Sequence, residues 1–456
     1  MDAPVPSRAL ATDLYELTMM AGYLAGGITG RSSFELYART LPPRRAYLIA
    51  AGLAQALDYL EGLAFTPAQI AYLRTVPALR RVPDAFFERD LPAFRFTGDV
   101  WALDEGTPVF AQEPILRVTA PAPEAQLVET ALLAIITFQT SIASKAARIV
   151  DAAEGRAVIE FGSRRAHGLD AGLYAARAAF IGGCAGTSNV EAGHHFGIPV
   201  SGTMAHSWVM TFEDELEAFR RYCDLYGSHA VLLVDTYDTL DAIRQIVAAG
   251  LKPAAVRLDS GDFIALSRDA RRMLDAGGLR ETGIFVSGDL DEERIAAMVR
   301  ARAPVNGFGV GTALSTSSDA PALGGVYKLV EVERDGQRVP TLKLSTGKHS
   351  YPGCKQVWRV VEDGRARRDV IGLADESAPA GGRPLLRLAM EGGRRTAASP
   401  SMTETQAACR AGRDELPAGV RRLEAPSAYP VDISPRLDAL TQQIGAEIEA
   451  AHRART

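Results

Sequence analysis

Cysteine is scarce in this chain of 456 residues: there are four, Cys184, Cys223, Cys354 and Cys409, and no two form a Cys-x-x-Cys pair. The spacing therefore excludes a zinc ribbon and a thioredoxin-like redox site. A chain of this length buries about 75% of its extended surface, so it needs no disulfide or metal for stability. Widely spaced cysteines are typical of a reducing compartment, and we expect a cytoplasmic protein.

Neither an excess of positive charge nor a long apolar run is present. Lys and Arg number 50 against 55 Asp and Glu, a formal net charge of −5, which excludes a generally basic nucleic-acid-binding protein. The N-terminus lacks the basic and apolar regions of a signal peptide. The longest apolar stretches, 131–138 and 173–184, contain Thr137 and Arg177 and fall short of the ~18 residues of a membrane span. We expect neither nucleic acid nor a membrane as a partner.

Residues 1–120 mix short helical and strand patterns, which predicts an N-terminal α+β domain. Thr12 precedes acidic residues and an apolar run, so we expect it to cap the first helix. Residues 34–38 alternate like a strand, and 94–96 and 109–110 suggest further strands.

Residues 121–330 carry a different pattern, in which a long helical run from about 121 to 151 precedes alternating strands and helices. The expected strands are 158–161, 231–235, 255–259, 284–287 and 305–309. The expected helices are 164–181, 213–226, 239–249, 263–276 and 292–301. This alternation predicts an α/β fold with a parallel sheet, and the pattern alone does not decide between a barrel and doubly wound sheets.

Residues 331–456 form a C-terminal segment by pattern. A strand, a lid-like loop and a second strand are expected between 343–345 and 357–359. The Arg-, Gly-, Ala- and Pro-rich stretch 362–416 suggests a loose surface region, and 437–453 reads as a terminal helix.

Polar residues stand at or just after the ends of the predicted parallel strands: Glu160, Asp235, Asp259 and Ser287. In barrels and open α/β sheets this end of the strands carries the ligand site. Arg257 and Asp259 share one face of their strand because side chains alternate with period two. Charges inside a core strand need a partner, which here is either a ligand or each other.

Two glycine-containing turns are candidates for binding phosphate. Arg164 lies where a strand meets a helix, and arginines at a helix start favour a bound anion over a solvated helix end. Gly311 and Thr312 follow a late strand and offer backbone N–H groups, although the turn lacks the lysine of a P-loop and does not extend to Gly-x-Gly-x-x-Gly.

His206 lies in a turn of small residues, Ser201-Gly202-Thr203-Met204-Ala205, after an apolar segment. A catalytic histidine and a histidine with a purely structural role both fit this pattern. His194 and His195 are adjacent, and adjacent residues rarely converge on one ion, so we expect no metal site there.

Nine segments taken in order resemble one family. They are ATDLYELTM, EFGSRRAHG, GTMAHSW, VDTYDT, VRLDSGD, VSGDLDE, GFGVGT, GGVYKLVE and KHSYPGCKQVWR. Each is modest alone, but the ordered set covers most of the chain and resembles nicotinate phosphoribosyltransferase. The resemblance implies a type II phosphoribosyltransferase: an irregular α/β barrel, an N-terminal α+β domain and a C-terminal segment that packs back on it.

The resemblance also implies a reaction. Nicotinate would combine with phosphoribosyl pyrophosphate (PRPP) to give nicotinate mononucleotide and pyrophosphate, the first step of NAD salvage from nicotinate. ATP would be hydrolysed through a phosphorylated His206, with Mg²⁺ accompanying PRPP and ATP. A cytoplasmic homodimer with shared active sites is implied as well.

The residue roles that the resemblance implies follow the motifs. Tyr15 and Phe161 match the aromatic residues that sandwich the pyridine ring, and Thr203 and Arg257 match nicotinate contacts. Asp235 and Asp259 match positions near the ribose hydroxyls. The positions that match the phosphate side are Arg164, Gly288, Asp289, Gly311 and Thr312.

Two alternatives remain open from the sequence. The nicotinamide-using relative carries an acid where this chain has Ser188, and a carboxylate there would favour the neutral amide. Quinolinate-using relatives are shorter and lack the histidine turn. A barrel that binds PRPP or phosphate without transferase activity is the second alternative.

Overall fold

The computed structural model describes residues 8–343 and 350–453. Its first part contains α1 (Leu14–Ala25), β1 (Arg31–Ala38), β2 (Leu48–Ile49), α2 (Leu53–Glu61), α3 (Pro67–Thr75), α4 (Leu91–Ala93), β3 (Asp99–Leu103), β4 (Pro108–Val109), β5 (Pro114–Pro121), α5 (Ala122–Leu127) and α6 (Glu129–Ala153). Short 3₁₀ or π turns occur at Pro77–Leu79, Phe86–Asp90, Ser163–Arg165 and Gly227–His229.

The middle part alternates strands and helices. It contains β6 (Ala157–Glu160), α7 (Leu169–Ile181), β7 (Gly186–Thr187), α8 (Val190–Phe196), α9 (His206–Met210), α10 (Glu215–Tyr226), β8 (Val231–Leu233), α11 (Thr239–Ala248), β9 (Ala255–Leu258), α12 (Phe263–Ala276), β10 (Gly283–Val286), α13 (Glu292–Arg300), β11 (Gly307–Val310) and α14 (Thr312–Ser315).

The last part is rich in strands. It contains β12 (Gly325–Arg334), β13 (Gln337–Pro340), β14 (Lys355–Glu362), β15 (Arg365–Leu373), β16 (Gly382–Pro384), β17 (Leu386–Glu391), β18 (Arg394–Arg395), α15 (Met402–Glu415), β19 (Val431–Ile433) and α16 (Pro435–Arg453).

The middle strands form one parallel sheet in the order β7-β6-β11-β10-β9-β8, the wall of the irregular α/β barrel. Hydrogen bonds do not join the edge strands β8 and β7 to each other. Beyond β7, Thr187 instead makes a parallel bridge to Val200. All five predicted strands are present, and their parallel pairing places their carboxyl ends at one edge.

The N-terminal α+β region is built on a seven-stranded sheet in the order β13-β12-β1-β5-β3-β17-β18. Only the three central strands come from residues 1–121, and the outer four come from the last part of the chain. The C-terminal segment therefore packs back on the N-terminal region, as the resemblance implied. The boundaries at 120/121 and 330/331 stay a prediction.

Buried charge also ties the C-terminal segment to the rest of the fold. Arg359 donates to Asp369 over 3.0 and 2.6 Å and to the Pro108 carbonyl over 2.8 Å. Both charged side chains are almost completely buried, so removing either one would leave an unpaired charge in the core.

Several local expectations were wrong. Thr12 does not cap α1; Asp13 is the cap residue, and the Thr12 hydroxyl donates to the Glu16 carboxylate instead. Residues 94–96 form no strand. Phe94 and Phe96 are buried and the residue between them is exposed, but the segment pairs with no sheet. The predicted helix from 164 starts only at Leu169, after Gly168 takes a φ of +117°.

The stretch 362–416 was expected to be loose, and this was also wrong. Several of its arginines form ion pairs: Arg383 pairs with Glu415 and Arg395 with Glu61, at 2.7 and 2.9 Å. Composition suggested a loose surface region because it does not show which acids pair with these arginines. The terminal helix is confirmed as α16. The strand expected at 343–345 lies mostly outside the described residues, as does the beginning of the KHSYPGCKQVWR motif.

Helix α6 is, by length and composition, apolar enough to cross a membrane: an 18-residue stretch of it has a mean hydropathy of 1.2. However, 67% of that stretch is buried within the protein. It contacts α7, α13 and the barrel strand β6, so its apolar surface is used as a core helix between the two halves of the fold.

Candidate active site

The carboxyl ends of neighbouring barrel strands bring three polar side chains together. The Asp259 N–H donates to Asp235 Oδ2 over 3.0 Å, and the Ser260 hydroxyl donates to the same oxygen over 2.6 Å. The Ser287 hydroxyl donates to Asp259 Oδ1. Asp235, Asp259 and Ser287 thus form one connected group at the edge where the sequence placed a ligand site.

Arg257 turns into this group from β9. Its Nη1 donates to the Thr203 hydroxyl and, over 3.0 Å, to the Met204 carbonyl, while Nη2 lies 3.3 Å from Asp259 Oδ1. Burial lowers the pKa of Arg257, and Asp259 opposes this. Its buried Nε has no hydrogen-bond partner among the described residues. The pairing with Asp259, one of the two alternatives that the sequence left open, is present, yet it leaves donor capacity for a ligand.

His206 begins α9 and faces the same edge. Its Nδ1 lies 3.1 Å from the Thr236 hydroxyl, and its Nε2 lies 3.9 Å from Asp259 Oδ2. The side chain is 41% exposed, which a histidine with a purely structural role in the core would not be. One ring nitrogen is thus held by Thr236 while the other remains accessible beside the carboxylate group.

Phe161 follows β6 directly, and its ring lies over Gly309 on the neighbouring strand. A Cβ on Gly309 would overlap that ring, so a residue without a side chain is required there. The Phe285 ring lies 6.0 Å away, centroid to centroid. The Phe161 ring therefore has a fixed place on the barrel wall.

Glu160 fixes the positions of Ser188 and Phe161 relative to each other. The Glu160 carboxylate is fully buried and accepts from the Gly162 N–H and from the Thr187 hydroxyl. Burial raises the pKa of Glu160, and these hydrogen bonds oppose the shift. The Ser188 N–H donates to the Glu160 carbonyl over 2.9 Å. One buried residue thus fixes both the aromatic position and the serine.

The expected phosphate-side residues lie on three segments at this edge. Gly288 has a φ of +87° and Asp289 a φ of +38°, directly after β10 and Ser287. Gly311 and Thr312 follow β11, and Arg164 lies exposed on the turn after β6. The three strands are neighbours in the sheet, so the three segments lie side by side at its carboxyl edge, and Gly288 lies against the Asp259 backbone.

Tyr15 is the one predicted site residue that a single chain does not bring to the barrel edge. It lies on α1 with its side chain near Glu16 and Glu129, and burial raises its pKa. The ring is 44% exposed, and the ring contacts among the described residues do not include a Tyr15–Phe161 pair.

Sequence reasoning missed Thr236 and Ser260 as site residues. Both directly follow an aspartate that ends a barrel strand, so their place in the VDTYDT and VRLDSGD segments was the available signal. Their hydroxyls contact His206 and Asp235. A polar group at the carboxyl ends of parallel strands, with an arginine and an accessible histidine, defines an α/β-barrel enzyme.

Three family models match the chain. They are the nicotinate phosphoribosyltransferase N-terminal domain over residues 10–137, the nicotinate phosphoribosyltransferase family over residues 157–350 and the nicotinate phosphoribosyltransferase C-terminal domain over residues 380–441. Together they span most of the described elements, and the central match contains every proposed barrel-side residue.

Individual proteins agree with these matches. A nicotinate phosphoribosyltransferase of Mycobacterium tuberculosis is 46% identical over 437 residues, which are 94% of this chain and 92% of that protein. One from Bacillus subtilis is 43% identical over 382 residues, covering 81% and 77%. The crystal structure of human nicotinic acid phosphoribosyltransferase matches with a TM-score of 0.84 at 30% identity, covering 95% of this chain and 99% of that one. The chain belongs to the nicotinate phosphoribosyltransferase family.

Proposed function

We propose that this chain joins nicotinate to PRPP in the cytoplasm, releasing pyrophosphate and forming nicotinate mononucleotide, the first step of NAD salvage from nicotinate. The observation that carries the proposal is Arg257, which contacts Thr203 and Asp259 and whose buried Nε has no partner in the part of the chain that the structure describes. A guanidinium with free donor capacity at an aromatic wall suits the carboxylate of a flat ring.

The chemistry needs little from the protein besides position and charge. The pyridine nitrogen attacks the anomeric carbon as the bond to pyrophosphate breaks, and it needs no general base because it is unprotonated at neutral pH. Positive charge develops on the ribose ring, where the carboxylates of Asp235 and Asp259 stabilise it. Arg164 and the backbone around Gly288 and Gly311 face the departing phosphates.

ATP coupling is part of the proposal. His206 Nε2 attacks the γ-phosphorus of ATP, forming a phosphorus–nitrogen bond as the bond to ADP breaks. Water later hydrolyses this phosphohistidine and releases phosphate. Thr236 supports the role by engaging Nδ1, which leaves Nε2 as the accessible nitrogen.

Mg²⁺ fits the same edge. Asp235 Oδ1 is buried and has no hydrogen-bond partner within residues 8–343 and 350–453, as expected of a carboxylate oxygen that binds a cation. No group of three or more metal-ligating side chains occurs in residues 8–343 and 350–453, but Mg²⁺ usually needs only one or two carboxylates together with substrate phosphates. Asp235 and Asp259 would hold the ion, which supplies charge neutralisation on the phosphates.

A homodimer with shared sites completes the proposal. The exposed face of α1 carries Leu14, Tyr15 and Met19, three large apolar side chains without cover in the single chain. A second copy would cover this face and place Tyr15 opposite Phe161 of its partner, so that the pyridine ring lies between two aromatic rings.

One assay tests the proposal against both alternatives. Purified protein is incubated with PRPP, Mg²⁺ and either nicotinate or nicotinamide, with and without ATP, and the mononucleotide product is quantified. The proposal expects nicotinate mononucleotide, formed faster with ATP. Preferred use of nicotinamide would establish the first alternative, and PRPP binding without any product would establish the non-catalytic barrel.

A further inference from the structure

A buried lysine lies behind the phosphate side of the site and contacts two acids. Lys145, on α6, has a side chain that is only 2% exposed. Its Nζ lies 2.5 Å from Glu292 Oε2 and 2.9 Å from Asp319 Oδ1. A lysine is almost never buried without such partners, so this pairing is the reason for its place in the core.

The two acids belong to the two phosphate-side segments. Glu292 is the first residue of α13, directly after the loop that contains Gly288 and Asp289. Asp319 lies a few residues beyond α14, the helix that begins with Thr312. Lys145 therefore connects, from inside the core, the backs of the loops that follow β10 and β11.

Two further cations complete the cluster, and each reaches only one of the acids. Arg148 Nε lies 3.0 Å from Glu292 Oε1, and Arg45 Nη2 lies 2.8 Å from Asp319 Oδ1. Burial raises the pKa of both carboxyls, but the cations outweigh it and keep the two pKa values below their usual range. Three cations against two carboxylates leave one buried positive charge in excess, behind the segments that follow β10 and β11.

We propose that Lys145 is a positioning residue for the phosphoribosyl donor: it fixes the distance between the Gly288–Asp289 loop and the Gly311–Thr312 turn. The inference rests on the proposed function, in which these two segments bind PRPP. Among the described residues only Lys145 pairs with both Glu292 and Asp319, so breaking either of its two ion pairs would remove the bridge between the loops.

The test compares two variants that each remove one buried cation. Lys145→Met should raise the KM for PRPP about 10-fold or more, while the KM for nicotinate stays within about twofold, because small misplacements of a binding group weaken the productive complex strongly. Arg148→Met removes a cation that contacts Glu292 alone. It should lower the melting temperature but leave the KM for PRPP within about twofold of the wild type.

Each other outcome has a defined meaning. A folded Lys145→Met protein with an unchanged KM for PRPP overturns the proposal, and so does an equal rise in the two variants. If Lys145→Met does not fold, Asp319→Asn decides, because it retains the shape of the side chain and weakens one arm of the bridge; the same selective rise is expected. Absence of product in the assay would overturn only the proposed function. PRPP affinity, measured by calorimetry without nicotinate, tests the role of Lys145 in that case too.

Discussion

Gly288 lies directly against the backbone of Asp259. A Cβ on Gly288 would overlap the Asp259 carbonyl oxygen, and the φ of +87° at this glycine is one that side chains other than glycine rarely adopt. The loop after β10, which we propose binds phosphate, thereby packs directly on the residue that we propose lies near the ribose. A shift of either one moves the other.

Gly288→Ala should therefore lower kcat/KM by about 100-fold or more, since the loop must move away from Asp259 to admit a methyl group. Gly278→Ala is the matched control: its φ is +77°, yet nothing lies within 4 Å of the added Cβ. Gly278→Ala therefore measures the effect of backbone strain without a steric clash, and this strain costs about 1 kcal/mol of stability. Steady-state kinetics and melting temperatures of both proteins check this, and similar activity losses in the two would show that close packing is irrelevant.

Ser188 should decide between the acid and the amide. With Arg257 and no acid at 188, the wild type should favour nicotinate over nicotinamide about 10- to 100-fold, the value of one charge-assisted contact. Ser188→Asp should shift the ratio of kcat/KM values toward nicotinamide because it places a negative charge near the pyridine substituent. Ser188→Asn adds the same bulk without charge and should shift it far less. An unchanged ratio in Ser188→Asp would mean that the pocket lies elsewhere.

His206 should carry an acid-labile phosphoryl group after incubation with ATP labelled at the γ-phosphate. His206→Ala should abolish ATP hydrolysis while a slow ATP-independent transfer persists, because the proposed substrate contacts of Arg257 and Phe161 would remain. The label is located by peptide mapping under alkaline conditions. Its appearance on His194, His195 or His229 would contradict the assignment.

Tyr15 should act on the site of the neighbouring subunit. Tyr15→Ala and Arg257→Ala are prepared as separate, inactive proteins, then unfolded and refolded together. In a hybrid dimer with shared sites, one site carries both lesions and the other is intact, so about a quarter of wild-type activity should return.

The control is refolding of each variant alone, which should yield no activity. Hybrid formation is verified with two distinguishable affinity tags. Should hybrids form and remain inactive, Tyr15 would act within its own chain or not at all, and its exposed place on α1 would have no catalytic meaning.

The parallel sheet was predictable because its signal is local, whereas the barrel followed only from the family resemblance. Alternating strands and helices dictate parallel pairing, parallel pairing gathers the carboxyl ends, and Asp235, Asp259 and Arg257 stand at those ends. The family resemblance then gave roles to residues such as His206, which local pattern left open. Thr236 was missed because a threonine beside an aspartate does not by itself indicate a site residue. Only the structure shows that its hydroxyl contacts His206.

Other features could not be obtained from the sequence because they depend on distant partners. The Lys145 bridge joins residues that are 147 and 174 positions apart in the chain. The sequence predicts Arg395 to be part of a loose surface region, whereas the structure shows it paired with Glu61, which is distant in the chain. The alternating pattern at Phe94 and Phe96 indicates only that their side chains are buried. A buried segment without a hydrogen-bonded neighbouring strand is not itself a strand.

The composition of the seven-stranded sheet has a consequence for synthesis on the ribosome. When the first 121 residues have emerged, β1, β5 and β3 are available, but the strands that flank them, β12 and β17, are more than 200 residues away in the chain. The emerging segment therefore exposes two unpaired strand edges until β12 has been made, at roughly 5–20 residues per second. The N-terminal region can complete its fold only after the barrel has been made, and the barrel must form beside an unfinished neighbour.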